Sequence, residues 1–157
     1  MQNDIATPRL SRRGLLLALS LLPLAAVAKK NTTVEVWKTA TCGCCKDWIK
    51  HLQANGFSVN AHDVDDTTVF SRRYGVPEEY GSCHTAMVDG YVLEGHVPAK
   101  EILRLLRDRP SAVGLTVPGM PLGSPGMDGP EYAGRKSPYD VLLIQKGGRT
   151  SVYQAYR

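Results

Sequence analysis

The chain has 157 residues, 43% hydrophobic and 22% charged, which is the size and composition of one globular domain with some additional sequence. Its formal net charge is +4 at pH 7, and Lys and Arg do not gather with aromatic residues on one expected face, which argues against a nucleic-acid partner. Three of the four cysteines fall within residues 42–45, so the usual expectation for an oxidising compartment, two ordinary disulfides, fits poorly.

The first residues read as an export signal over 1–28. Arg9, Arg12 and Arg13 precede the apolar stretch Leu15 to Ala28, which ends in the small-x-small sequence Ala26-Val27-Ala28. That stretch is shorter than the roughly 20 apolar residues needed to span a bilayer. No later run reaches that length, so no membrane segment is expected once the signal is removed. Ser11-Arg12-Arg13-Gly14-Leu15-Leu16 also fits a twin-arginine signal, against a general secretory signal with two chance arginines. Either route leads to the periplasm and leaves a domain over 29–157. Loss of three arginines and one aspartate with the signal brings that domain closer to neutral.

Thr33 to Lys38 alternates and is rich in β-branched residues, as a strand does. The cysteines follow, and Lys46 to Asn55 carries Trp48, Ile49 and Leu52 at helical spacing before Gly56. Phe57 to Val64 alternates as a second strand, and Asp65 to Tyr74 reads as a short helix closed by Gly75. Thr85 to Asp89 and Tyr91 to Val97 flank Asp89-Gly90, a hairpin signal. Pro98 suits the first position of a helix carrying Ile102, Leu103, Leu105 and Leu106. Residues 111–138 are rich in Gly and Pro and read as a long loop. Tyr139 to Ile144 and Thr150 to Tyr156 flank Lys146-Gly147-Gly148 as a terminal hairpin. The order β-α-β-α-β-β-α predicts an α/β, thioredoxin-like fold extended by the loop and the C-terminal β-hairpin.

Cys42-Gly43-Cys44-Cys45 stands where the first helix begins. The helix dipole and free backbone N–H groups favour thiolate there, the form that binds metal and attacks disulfides. Thioredoxin-like folds place a cis-proline before the third strand, facing the cysteine turn. Here Ser82-Cys83-His84-Thr85 occupies that place, so Cys83 is expected to join Cys42, Cys44 and Cys45. Thiolates and thioethers suit Cu(I), and imidazole suits copper and zinc. Met87 in the third strand is either a ligand or core. Met120 and Met127 lie in the Gly/Pro loop, where they either close over a soft metal or plug the loop. His96 ends the returning strand near the cysteines, with His84 beside Cys83; His51 is expected to be solvated.

These motifs together resemble a known family. Thr39-Ala40-Thr41-Cys42-Gly43-Cys44-Cys45, Ser82-Cys83-His84-Thr85-Ala86, Glu94-Gly95-His96-Val97-Pro98, Pro118-Gly119-Met120-Pro121 and Gly126-Met127 are similar to the CopG-type periplasmic copper-resistance proteins, over about residues 32–157. The resemblance implies a thioredoxin-like fold and copper bound at the cysteine turn as a multinuclear cluster. It implies a copper oxidoreductase role; for a protein that handles copper in the periplasm, copper carriers and efflux systems are the expected partners. By motif it assigns Cys42, Cys44, Cys45 and Cys83 as ligands, with Met87, His96, Met120 and Met127 in the family's His/Met positions. Two other readings fit the cysteines. One is a metal-free thiol–disulfide oxidoreductase in which Cys42 attacks and Cys45 resolves. The other is a closed zinc site on the four cysteines.

Overall fold

The computed structural model describes residues 31–157. The export signal expected over 1–28 lies outside the described residues. The rest is one mixed α/β unit built on a seven-stranded sheet. The elements are β1 (Thr33–Lys38), α1 (Gly43–Ala54), β2 (Ser58–Asp63), α2 (Thr68–Arg73), β3 (His84–Val88), β4 (Tyr91–Gly95), α3 (Ala99–Asp108), β5 (Gly114–Val117), β6 (Tyr139–Ile144) and β7 (Thr150–Tyr156). The strand order is β2-β1-β3-β4-β5-β6-β7. β1 runs parallel to β2 and β4 parallel to β5; the other neighbours are antiparallel. Among the described residues no helix is long and apolar enough to cross a membrane.

Strand parity divides the side chains between two packing regions. Val34, Val36, Ala86, Val88, Leu93, Leu115 and Val117 join Trp48 and Leu52 of α1 and Ile102 and Leu105 of α3 in the main core. The buried positions of α1, Cys45, Trp48 and Leu52, follow helical spacing, which gives that helix one apolar stripe. Each such side chain, fully buried, contributes roughly 1.5–3 kcal/mol. The intervening strand residues Met87, Val92 and Ile144 belong to a smaller cluster with Val76, Tyr74 and Tyr80.

The expected elements form, β1, β6 and β7 with the expected bounds, α1 and β3 starting earlier than expected and β2, α2 and β4 shorter, and the 111–138 segment differs from expectation. It begins with a strand, β5, which joins the C-terminal hairpin to the main sheet. Leu115, Thr116 and Val117 are buried on both faces, so four residues suffice without visible alternation. At Gly114 the chain approaches β4 closely: a Cβ there would lie 1.8 Å from the Val92 carbonyl oxygen.

His51 also departs from expectation. It is half-buried, and its Nε2 accepts a hydrogen bond from the Ala99 amide at 3.1 Å. Pro98 offers no side-chain cap to α3, so an imidazole from α1 takes that part. Burial lowers the His51 pKa, against the opposing charge of Asp128. The stabilisation is therefore present above the ordinary imidazole range and is lost as pH falls through the lowered value. Thermal melts should show a lower midpoint at pH 5 than at pH 7. His51→Ala should cost about 1 kcal/mol at pH 7, the usual worth of a helix cap, and flatten part of that slope.

Candidate metal centre

The centre lies where the start of α1, the entry to β3 and the exit of β4 meet. Cys42 is the N-cap of α1: its Sγ accepts from the Cys45 amide at 3.3 Å, while its own amide donates to the Thr39 carbonyl at 3.2 Å. These bonds close the turn and set three sulfurs at the positive end of the helix. Cys42 and Cys45 form a disulfide, with Cα atoms 5.4 Å apart, while Cys44 and Cys83 are free thiols. The Cys42 and Cys44 sulfurs are 3.6 Å apart.

Cys83 comes from the turn before β3. The Cys45 sulfur lies 3.7 Å from its carbonyl oxygen, and all four cysteine sulfurs lie within 4.8 Å of one another. No cis peptide occurs among the described residues; the turn that would carry the cis-proline carries Cys83 instead. The Cys83 sulfur is also 3.5 Å from His84 Nδ1 and 3.6 Å from His96 Nε2. It is thus common to two donor groups, the four sulfurs and a Cys83–His84–His96 triad.

Both imidazoles are fully buried, and among the described residues His84 Nε2 and His96 Nδ1 have no hydrogen-bond partner. Burial drives His84 down to about 3, helped by the neighbouring His96, and drives His96 down to about 4. Both rings are therefore neutral at pH 7, the state that binds metal. Burial and the proximity of Cys44 push the Cys83 thiol up to about 12. Trp48 fixes the wall behind: its indole N–H donates to the Val97 carbonyl at 2.8 Å, and its ring packs on His84 with centroids 4.3 Å apart. The donors are soft sulfur and neutral imidazole, which fits monovalent copper.

The methionines are placed differently from one another. Met127 follows Gly126, which packs against the cysteine helix: a Cβ on Gly126 would lie 2.6 Å from the Cys44 carbonyl oxygen and 2.9 Å from the Trp48 amide. Tyr132 donates to the Met127 sulfur at 3.4 Å, and desolvation, then the charges of Glu131, Cys44 and Asp47, raise the Tyr132 phenol. The Gly/Pro segment thus lies as a strap over the cysteine turn, with Met127 beside it. Met120 is exposed and has a left-handed backbone, φ 46°. Met87 is not brought to the sulfurs. It packs with Val76, Val92 and Ile144, because its parity in β3 is opposite to that of His84, Ala86 and Val88.

Glu94 was not anticipated from the sequence. It is fully buried, and it accepts from the Ser82 amide and hydroxyl, each at 2.6 Å, and from the Thr85 hydroxyl at 2.8 Å. Burial raises its carboxyl and these donors oppose the rise. An acidic residue in an otherwise apolar strand is the signal that could have marked it.

The solved copper resistance protein CopG, form 2, shares 48% identity, with 82% of this chain and 100% of that chain covered and a TM-score of 0.75. Form 1 gives 48%, 81% and 98%, with a TM-score of 0.74. A family model described as a protein of unknown function, DUF411, matches residues 80–127, which include Cys83, His84, His96 and the Gly/Pro segment as far as Met127. No match is found among curated proteins. At this identity and coverage the chain belongs to the CopG-type family of copper resistance proteins.

Proposed function

We propose that this protein acts in copper resistance in the periplasm, holding Cu(I) at Cys42, Cys44, Cys45 and Cys83 with His96, His84 and Met127 around them. The observation that carries the reading is the gathering of four sulfurs within 4.8 Å, with two neutral, buried imidazoles on the fourth. Four sulfurs this close would let several copper ions share few ligands, which is the ground for a multinuclear cluster. Met120 is in reach only if the strap rearranges, and Met87 is left to the core. The β2-β1-β3-β4 order, with the cysteine turn after β1, supports a thioredoxin-like fold for residues up to α3. The Arg-flanked apolar leader supports export. Periplasmic copper carriers and efflux systems are the corresponding partners.

The residues act in a simple order. A dithiol reductant opens the Cys42–Cys45 disulfide, supplying two electrons and two protons, and so adds two thiols to the site. The start of α1 stabilises their thiolates. Cys83 releases its proton when it binds, which makes uptake easier as pH rises, since its thiol titrates far above neutrality. Bound copper supplies one-electron redox chemistry. Trp48 and the strap exclude water from the imidazole side.

Reduced and oxidised protein should differ sharply. Anaerobic titration of reduced protein with Cu(I), in competition with a chromogenic chelator, should show tight uptake. Protein with the disulfide closed should bind far more weakly. Equal and weak uptake by both would overturn the copper reading.

The disulfide itself favours one second reading, a thiol–disulfide oxidoreductase. Brisk insulin reduction by metal-free protein, abolished by Cys42→Ser, would support it. Cys44 has no part in that chemistry.

A further inference from the structure

Glu94 is a carboxylate sealed inside the protein, and every hydrogen bond it makes goes to one short segment. Oε1 takes the Ser82 amide and hydroxyl, and Oε2 takes the Thr85 hydroxyl. The segment it grips on both sides contains Cys83 and His84. The Ser82 hydroxyl oxygen in turn accepts from the His84 amide at 3.4 Å. A buried carboxylate costs free energy unless fully bonded, so a hydrophobic strand has no structural need for one at this position. The β3–β4 register sets Glu94 directly opposite Thr85. Immediately beyond, β4 ends at Gly95, whose left-handed backbone (φ 71°) directs the chain into His96. One side chain therefore ties the turn that carries Cys83 to the strand end that leads into His96.

We propose, on the copper reading above, that Glu94 is a positioning residue of the metal centre: its carboxylate clamps Ser82 and Thr85 and so holds the Cys83 sulfur between His84, His96 and the other cysteines. Outer partners of metal ligands act in this way and do not touch the metal. Glu94→Gln keeps the shape but removes the negative charge and one of the two acceptor oxygens, which weakens the charge-assisted bonds to Ser82 and Thr85 and loosens the turn.

Two measurements test the proposal. The first uses no copper. In a Cys42→Ser/Cys44→Ser/Cys45→Ser background Cys83 is the sole thiol, and its alkylation by iodoacetamide should run several-fold faster when Glu94→Gln is added. Ser82→Ala, which removes the hydroxyl's bonds to Glu94 and to the His84 backbone but leaves the Ser82 amide and the Thr85 hydroxyl on the carboxylate, should give a smaller increase and serves if Glu94→Gln fails to fold. The second is a double-mutant cycle on reduced full-length protein. Glu94→Gln should weaken Cu(I) binding by roughly 10–100-fold in the wild-type background. It should have almost no further effect in the Cys83→Ser background, whereas any general loss of stability would persist there. Unchanged alkylation in both variants, or an undiminished copper effect without Cys83, overturns the proposal. Failure of wild-type protein to hold Cu(I) would sink the copper reading, and the alkylation rates alone would then decide whether Glu94 holds Cys83.

Discussion

Cys83→Ser is expected to weaken Cu(I) binding by more than the roughly 10–100-fold typical for loss of an outer partner. The reason is its position: the Cys83 sulfur lies 3.5 Å from His84 Nδ1 and 3.6 Å from His96 Nε2, and it is also one of the four clustered sulfurs. Removing it separates the imidazoles from the cysteine turn. Cys44→Ser removes one sulfur from the cluster and leaves the triad intact, so its loss should be smaller. Neither change should much alter the thermal midpoint, because both thiols are free and only partly buried. Chelator competition under anaerobic conditions measures the affinities. Wild-type affinity in Cys83→Ser would contradict the shared-sulfur geometry.

Gly126→Ala is expected to lift the strap. The left-handed backbone there (φ 85°) costs an alanine about 1–2 kcal/mol. The new Cβ would also stand 2.6 Å from the Cys44 carbonyl oxygen and 2.9 Å from the Trp48 amide, both backbone atoms of a packed helix that cannot swing aside. Together these predict a destabilisation of about 2–4 kcal/mol in urea unfolding, with faster release of bound Cu(I). Gly134→Ala is the control: its φ is 70° but, among the described residues and apart from its chain neighbours, none has an atom within 4 Å of the added Cβ, so it carries only the backbone strain. Equal effects from the two changes would show that contact with Cys44 and Trp48 is unimportant.

The sequence made the cysteine turn legible because adjacent positions and a helix start need no long-range knowledge. The gathering of Cys83 followed from element order, once the chain entering the third strand was set beside that turn. Met87 was less readable, since placing it required strand parity. Ala86 and Val88 lie in the main core, so Met87 points the other way and His84 points inward. The same alternation, applied fully, would have raised His84 from a neighbour of Cys83 to a member of the site. β5 was hidden because its four residues are buried on both faces and show no period. Glu94 was hidden for a different reason. Its partners Ser82 and Thr85 are more than eight residues away in sequence and meet it only through the hairpin. The helix cap at His51 likewise depends on α1 packing beside the start of α3, which local sequence does not report.

The most direct test of the central claim is copper X-ray absorption on reduced protein loaded anaerobically with Cu(I) and then desalted. The account predicts retained copper whose nearest shell is dominated by sulfur, with an imidazole contribution that diminishes in His96→Ala. Copper lost on desalting, or a shell of oxygen and nitrogen without thiolate sulfur, would contradict it.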